Sequence, residues 1–468
     1  MQKFSQIFKK NLFWMILGLF VLIPLYPKFP LLNIPGTYVA IRLEDFLIAL
    51  VVFCWFISIY PNIRKFLDQL PAQLLILFWA IGLLSLFSGI FLTQTISPYL
   101  GLFHYLRRIE TMILFLVAYS AFENLAQIKL WLKVMLGVLI LVVLYGFGQQ
   151  WLSFPVISTT NREFSKGLIL FLSPEARVNS TFAGHYDLAI YLAFFLIALA
   201  AMVFYVKKFL LRIGLILVGF FSFILLAMTA ARVSFAATLL GIAAVFVLIE
   251  QKKLIVGLIF LAFLALAVSP DLRHRTVATL TVNFLGGGGP KYTPPSPKPD
   301  ADPRKFSLEN AASGSATLSG VPIDVVPGEP LNTTELGVFR SYGIRINEEW
   351  PRAIRALEKN PFLGTGYSSI TIATDNDYLR SLGETGILGT ASLGLIFIFI
   401  FKKLWQFLRK QIKQKDFSFY LVSGVFCGLI TVLVTATFID VLESSKVAQL
   451  LWLTLGTTFA LIRMEEND

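Results

Sequence analysis

NPFLGTGYSSITIATDNDYLRSLGETGILG, residues 360–389, is where a long polar stretch gives way to an apolar one. Pro361 stops a helix, GTG (364–366) makes a tight turn, and Asp375 or Asn376 is placed to cap the next helix. That helix leads through ETGILG (384–389) into an apolar run at 386–403. The segment is therefore the far end of a single polar interruption, about 270–383, in a chain made otherwise of apolar spans.

Outward from this stretch, hydrophobic residues make up 56% and charged residues 15% of 468 residues, which is the mixture of a polytopic membrane protein and not of a soluble core. A helical span needs about 20 apolar residues. Spans are expected near 11–27, 38–60, 71–92, 108–121, 127–150, 183–206, 209–229, 232–249, 253–269, 386–403, 417–438 and 445–463. The expectation is an all-α protein of about twelve transmembrane helices. Helices 1–9 fill residues 1–269, an extracytoplasmic loop fills 270–383, and helices 10–12 fill 384–468. Nothing alternates as barrel strands do.

Lysine and arginine placement sets the expected orientation. Alternate short loops carry Lys9 and Lys10, Arg64 and Lys65, Lys129 and Lys133, Lys207 and Lys208, Lys252 and Lys253, then Lys402 to Lys415. These loops are expected to be cytoplasmic, with both termini on that side and the large loop outside. The net charge of +12 is thus mostly topological and, being dispersed, does not suggest nucleic-acid binding. The basic start of the chain is read as a retained first helix, since LYPKFP (25–30) stands where a cleavage site would be. Cys54 and Cys427 lie in spans and imply no disulfide framework. His104, His185 and His274 have no metal-ligand spacing.

The loop divides in two. GGGGPKYTPPSPKPDADP (286–303) and the small-residue sequence after it cannot bury a core, and about 280–325 is expected to be flexible. The part from 340 to 383 is expected to be structured. In EEWPRAIRALEKNP (348–361), Pro351 suits a first helical turn, and Trp350, Ile354 and Leu357 share one face of an amphipathic helix.

Several side chains carry two readings. Arg232, in TAARVSFAATLLG (229–241), either snorkels from the outer end of its helix or binds a phosphate group. Arg177 and His185, in RVNSTFAGHYDLAIYL (177–192), either line a cavity mouth or are structural. Arg340 and Arg345 are either solvated or face a pyrophosphate. Asp375 either accepts a proton from a sugar hydroxyl or, like Asn376, caps a helix.

Four segments together resemble the O-antigen ligase and O-antigen polymerase superfamily of bacterial membrane glycosyltransferases. They are RVNSTFAGHYDLAIYL (177–192), TAARVSFAATLLG (229–241), RINEEWPRAIRALEKNPFLGTG (345–366) and DNDYLRSLGETGILG (375–389). Their order and the late outward loop also fit, over most of the chain from about 170 to 400. The resemblance implies a cytoplasmic-membrane enzyme that takes a glycan from undecaprenyl pyrophosphate. The acceptor would be another glycan, a lipid or a protein, on the outer membrane face, with no metal or other cofactor. It implies that Arg232 and Arg345, with Arg340 as a second candidate for the loop arginine, hold the pyrophosphate as it departs. Where ligases carry a His-Asn pair this chain has Asp375-Asn376, so Asp375 would orient or deprotonate the acceptor. That departure points toward polymerisation or a non-lipopolysaccharide acceptor. The rival class is a transporter or flippase of lipid-linked glycans.

Overall fold

A computed structural model describes residues 2–27, 30–33, 40–156, 177–279, 343, 345–370 and 374–467. The Gly/Pro-rich stretch and Arg340 lie outside the described residues.

The described chain is almost wholly helical. The order is α1 (Gln2–Leu25), a hairpin of β1 (Pro30–Asn33) and β2 (Ala40–Arg42), α2 (Leu43–Ile59), α3 (Ile63–Leu67), α4 (Leu70–Phe87) and α5 (Pro98–Ala121). Then come α6 (Leu125–Trp151), α7 (His185–Tyr205), α8 (Phe209–Met228), α9 (Arg232–Leu248), α10 (Leu254–Val268) and α11 (Pro270–Ala278). After the interruption follow α12 (Trp350–Lys359), α13 (Asp377–Gln411), α14 (Phe417–Thr435) and α15 (Ser445–Asn467). The antiparallel hairpin is a small addition to the all-α expectation.

Every expected span coincides with a helix, but among the described residues nine helices are long and apolar enough to cross a bilayer, or ten if α10 and α11 form one broken span. Three expected spans are not among the nine: α10 has 15 residues and is broken from α11. At 17 residues α9 is about 25 Å long, against a hydrocarbon core of about 30 Å. Helix α5 begins ten residues before the expected span, and the added turns carry His104, Arg107 and, at the old boundary, Arg108. The many long apolar helices define a multi-pass membrane protein. Side chains such as Phe53, Leu84, Leu240, Phe260 and Ile398 are exposed on the outside of the bundle, as lipid contact requires.

The chain divides into two units, residues 1–272 with 349–468, and residues 273–348. The described part of the second unit comprises the end of α11, Gly343 and a π-helical turn that starts at Arg345. In the first unit α15 is the central helix, 89% of its apolar window being buried against 28% for α8. Small residues let its neighbours close in: a Cβ on Gly456 would stand 2.2 Å from the Phe115 carbonyl oxygen of α5. Helix α14 packs against α7 and α9, with Gly424 meeting Ala198 and Thr431 meeting Gly241.

The 360–389 segment packs onto its own helix. Gly386 has φ +67° and breaks α13 between a short outer helix and the apolar span, where the sequence passes through ETGILG. At the break, Thr365 N and Gly366 N donate to the Gly383 and Glu384 carbonyls at 2.9 Å each. Ile387 N and Leu388 N donate to the Pro361 and Phe362 carbonyls at 2.8 and 3.2 Å. The groups freed by the kink are thereby satisfied. Pro351 sits in the first turn of α12, as the sequence implies. Its buried residue, however, is Ala353, whose carbonyl lies against Gly383, whereas Ile354 is 44% exposed. Close backbone approach through Ala353 thus makes the contact with α13.

Candidate functional site

The helices alternate in direction, so the starts of α2, α5, α7, α9, α13 and α15 gather at one end of the bundle. Ion pairs and hydrogen bonds join Arg42 to Ser445, Arg108 to Glu443 and Lys446 to Thr181 at that end. Charge is concentrated here, where the helices are otherwise apolar.

The 436–444 connection organises the end. Asp377, the first residue of α13, donates its amide to the Ala436 carbonyl at 2.9 Å. Its Oδ2 accepts the Val441 and Leu442 amides at 2.7 and 2.9 Å. Asp440 returns the arrangement: Oδ2 accepts Thr374 N and Oδ1 accepts Asn376 N, both at 3.1 Å. The two carboxylates thus clamp the two chain segments to each other through four backbone amides. Arg380 donates to Asp440 Oδ2 at 3.0 Å and to the Ile370 carbonyl at 3.3 Å, and its Nε lies 3.5 Å from Glu384 Oε1. Glu384 in turn accepts Ser368 N at 3.2 Å.

Glu443 is partly buried between Arg108 and Arg380. Burial alone raises a carboxyl's pKa, and the two guanidiniums more than offset that, holding Glu443 at about 2. Arg108 also donates to the Leu442 carbonyl at 3.1 Å. Burial pushes the nearby Tyr367 phenol above its ordinary value. A second ionic layer joins Arg107 to Asp45 at 3.1 Å, Arg42 to Glu44 at 3.9 Å, and Gln449 to Glu110 at 3.2 Å.

Asp375 is half-buried with φ +49°, a region that non-glycine residues seldom occupy and that aspartate tolerates better than most. Asn376 is the helix cap: its Oδ1 accepts Tyr378 N and Leu379 N at 3.1 and 3.0 Å. Its side-chain oxygen is therefore committed to the helix.

Arg232 is the first residue of α9 and is half-buried. It follows a tight turn in which Ala230 has φ +51°. Thr229 Oγ1 supports the turn by donating to the Leu226 carbonyl at 2.6 Å and accepting Ala231 N at 3.3 Å. Alanine in this region is strained, and such strain persists only where its surroundings enforce it.

Arg177 Nη1 lies 2.5 Å from His185 Nε2. A guanidinium only donates, so the imidazole accepts at Nε2 and carries its proton on Nδ1. The intervening turn is pinned twice. Gln149 accepts Ser180 N at 2.7 Å and donates to the Ser180 carbonyl at 3.0 Å. The fully buried Lys446 donates to the Thr181 and Pro24 carbonyls at 2.7 and 3.2 Å, with its ammonium 5.1 Å from the Phe182 ring centroid.

Arg232, Asp375, Asn376, Arg177 and His185 thus stand at one end of the first unit. Arg345 belongs to the second unit, and Arg340 is outside the described residues. Sequence reading passed over Asp377, Arg380, Asp440, Glu443 and Lys446. The available signal was FIDVLESSK (438–446), three charged residues between two apolar spans.

No family model and no curated protein matches the chain.

Proposed function

We propose that the protein is a membrane glycosyltransferase that moves a glycan from undecaprenyl pyrophosphate to an acceptor hydroxyl at the outer face of a bacterial cytoplasmic membrane. The observation that supports this reading is the presence, at the same end of an apolar bundle, of a cation at a strained helix start and an aspartate held in an uncommon backbone state. Arg232 supplies the charge a pyrophosphate needs, and Asp375 supplies the acceptor for a proton.

The acceptor oxygen attacks the anomeric carbon, and the bond from that carbon to the pyrophosphate oxygen breaks. The acceptor's proton passes to Asp375, and the electron pair leaves with the pyrophosphate. Arg232 stabilises the departing charge. Arg177, His185 and Asn376 contribute to binding the glycan or its acceptor. The acceptor is another lipid-linked repeat in a polymerase and a lipid or protein in a ligase. Aspartate in place of histidine favours the polymerase. The short basic loops support a topology with both termini in the cytoplasm and the 270–383 loop outside.

Deleting the gene in its host and separating surface and lipid-linked glycans on a gel tests the reading. Glycans cut to one repeat identify a polymerase, and full-length chains stranded on the carrier identify a ligase. An unchanged pattern contradicts the proposal. Transport of an intact lipid-linked glycan is the alternative class, and the packed segments 349–370 and 374–389 favour chemistry over it.

A further inference from the structure

The opposite end of the bundle holds a cavity of 340 Å³. It lies where α6 begins, α7 ends, and α8 and α14 begin, and α15 closes it at Thr454. Its volume falls in the lower part of the roughly 300–1,000 Å³ range of ligand sites. Its walls are aliphatic and aromatic. The charged residues in its lining are Lys129 and Lys133, both exposed and one helical turn apart on α6. Lys129 Nζ stands 5.6 Å from the centroid of the lining Phe417 ring. Lys207 and Lys208, also exposed, lie in the link between the lining residues Val206 and Leu211. The nearest acid in sequence to this wall, Asp416, has Oδ1 committed to capping α14 through Phe419 N at 2.8 Å.

Polarity is thus graded along the cavity. Lysines stand at its mouth, and apolar side chains continue inward along α6 to Leu139. The ten residues from Lys129 to Leu139 rise about 15 Å, half of the about 30 Å hydrocarbon core. A cavity one leaflet deep, apolar inside and basic at the interface, is complementary in shape and charge to an acidic lipid.

We propose that this cavity binds one acyl chain of an anionic phospholipid, with the lipid phosphate held by Lys129 and Lys133. The site is independent of the glycosyl-transfer reading, and it faces the leaflet that the short basic loops contact. A much longer polyprenyl chain exceeds its depth, and a neutral lipid leaves the lysines unused.

The test is native mass spectrometry of the full-length protein in neutral detergent. Phosphatidylglycerol and phosphatidylcholine with the same acyl chains are added separately. One retained phosphatidylglycerol, in preference to phosphatidylcholine, is expected. The double variant Lys129→Gln/Lys133→Gln is expected to weaken retention about 30-fold, from the usual contribution of a basic residue near an anionic headgroup. Leu136→Trp, which fills the cavity and keeps both lysines, is expected to abolish it. The lysine variant changes only exposed side chains, so it decides the matter even where the tryptophan variant fails to fold. Equal retention of the two lipids, or an unaffected lysine variant, overturns the proposal. Displacement by inorganic phosphate alone would reassign the lysines to a free anion, and preference for undecaprenyl phosphate would reassign the cavity to the carrier lipid. Either result overturns it too.

Discussion

The Asp440 carboxylate brackets Asp375: its two oxygens accept the amides of Thr374 and Asn376, the residues on either side. The left-handed backbone of Asp375 is thus enforced by an acid 65 positions further along the chain, itself fixed by Arg380. Asp440 is a positioning residue in this account, not one that touches substrate.

Asp440→Asn is expected to keep the fold and lower glycosyl transfer on the order of 100-fold, the scale of a displaced reacting group. Asp440→Ala removes one of the three acids facing Arg380 and the acceptor of two backbone amides, and is expected to cost about 3 kcal/mol. Thermal unfolding in detergent, read beside turnover, separates the two effects. Full activity of the asparagine variant would contradict the positioning role.

Acid should loosen the same end of the bundle. Glu443 sits near pKa 2 in the folded protein, against about 4.3 for a free glutamate. A depressed carboxyl contributes stability that is complete above the unfolded value and is lost as pH falls from about 4.3 through 2. The wild-type unfolding midpoint should drop across that window, and Glu443→Gln should show a shallower drop. Parallel curves for the two proteins would contradict the pairing with Arg108 and Arg380.

Gly386→Ala should damage the joint between the loop and α13. The φ of +67° is unfavourable for alanine, and its Cβ would stand 2.3 Å from the Phe362 carbonyl oxygen. A loss of about 2 kcal/mol or more is expected. Limited proteolysis within 360–376 should accelerate. A variant as resistant as the wild type would show that the joint is not a point of stability.

Much of this architecture is legible in the sequence because span length and turn chemistry are local. The Pro351 helix start, the Asn376 cap and the ETGILG passage follow from residues within a few positions of each other. The Asp440 clamp is not local, and no spacing rule connects it to Asp375. The first turns of α5 escaped because polar residues at the end of a membrane helix look like loop. The contact of α12 with Gly383 is likewise not legible, since hydrophobic periodicity weights large side chains, whereas packing against Gly383 rewards a small one, Ala353.

Lys446 illustrates the same limit. Its sequence position suggests an interfacial charge, yet the fold buries it fully against two backbone carbonyls. Lys446→Met removes the lysine donor from the Thr181 carbonyl, while the Pro24 carbonyl keeps the Thr181 hydroxyl at 2.6 Å, and should cost about 2 kcal/mol. Lys446→Arg should not restore the lost stability, since the larger fork does not fit the same space. Unfolding midpoints of the two variants check this, and a neutral methionine variant would contradict it.

The central claim is bond cleavage at the pyrophosphate. The most direct measurement is release of undecaprenyl pyrophosphate by the purified protein in liposomes supplied with an undecaprenyl-pyrophosphate-linked oligosaccharide and its acceptor. Substrate-dependent release is expected from the wild type and none from Arg232→Ala, with both proteins equally folded. Movement of the intact lipid-linked glycan without release, or wild-type release by the Arg232 variant, would contradict that claim.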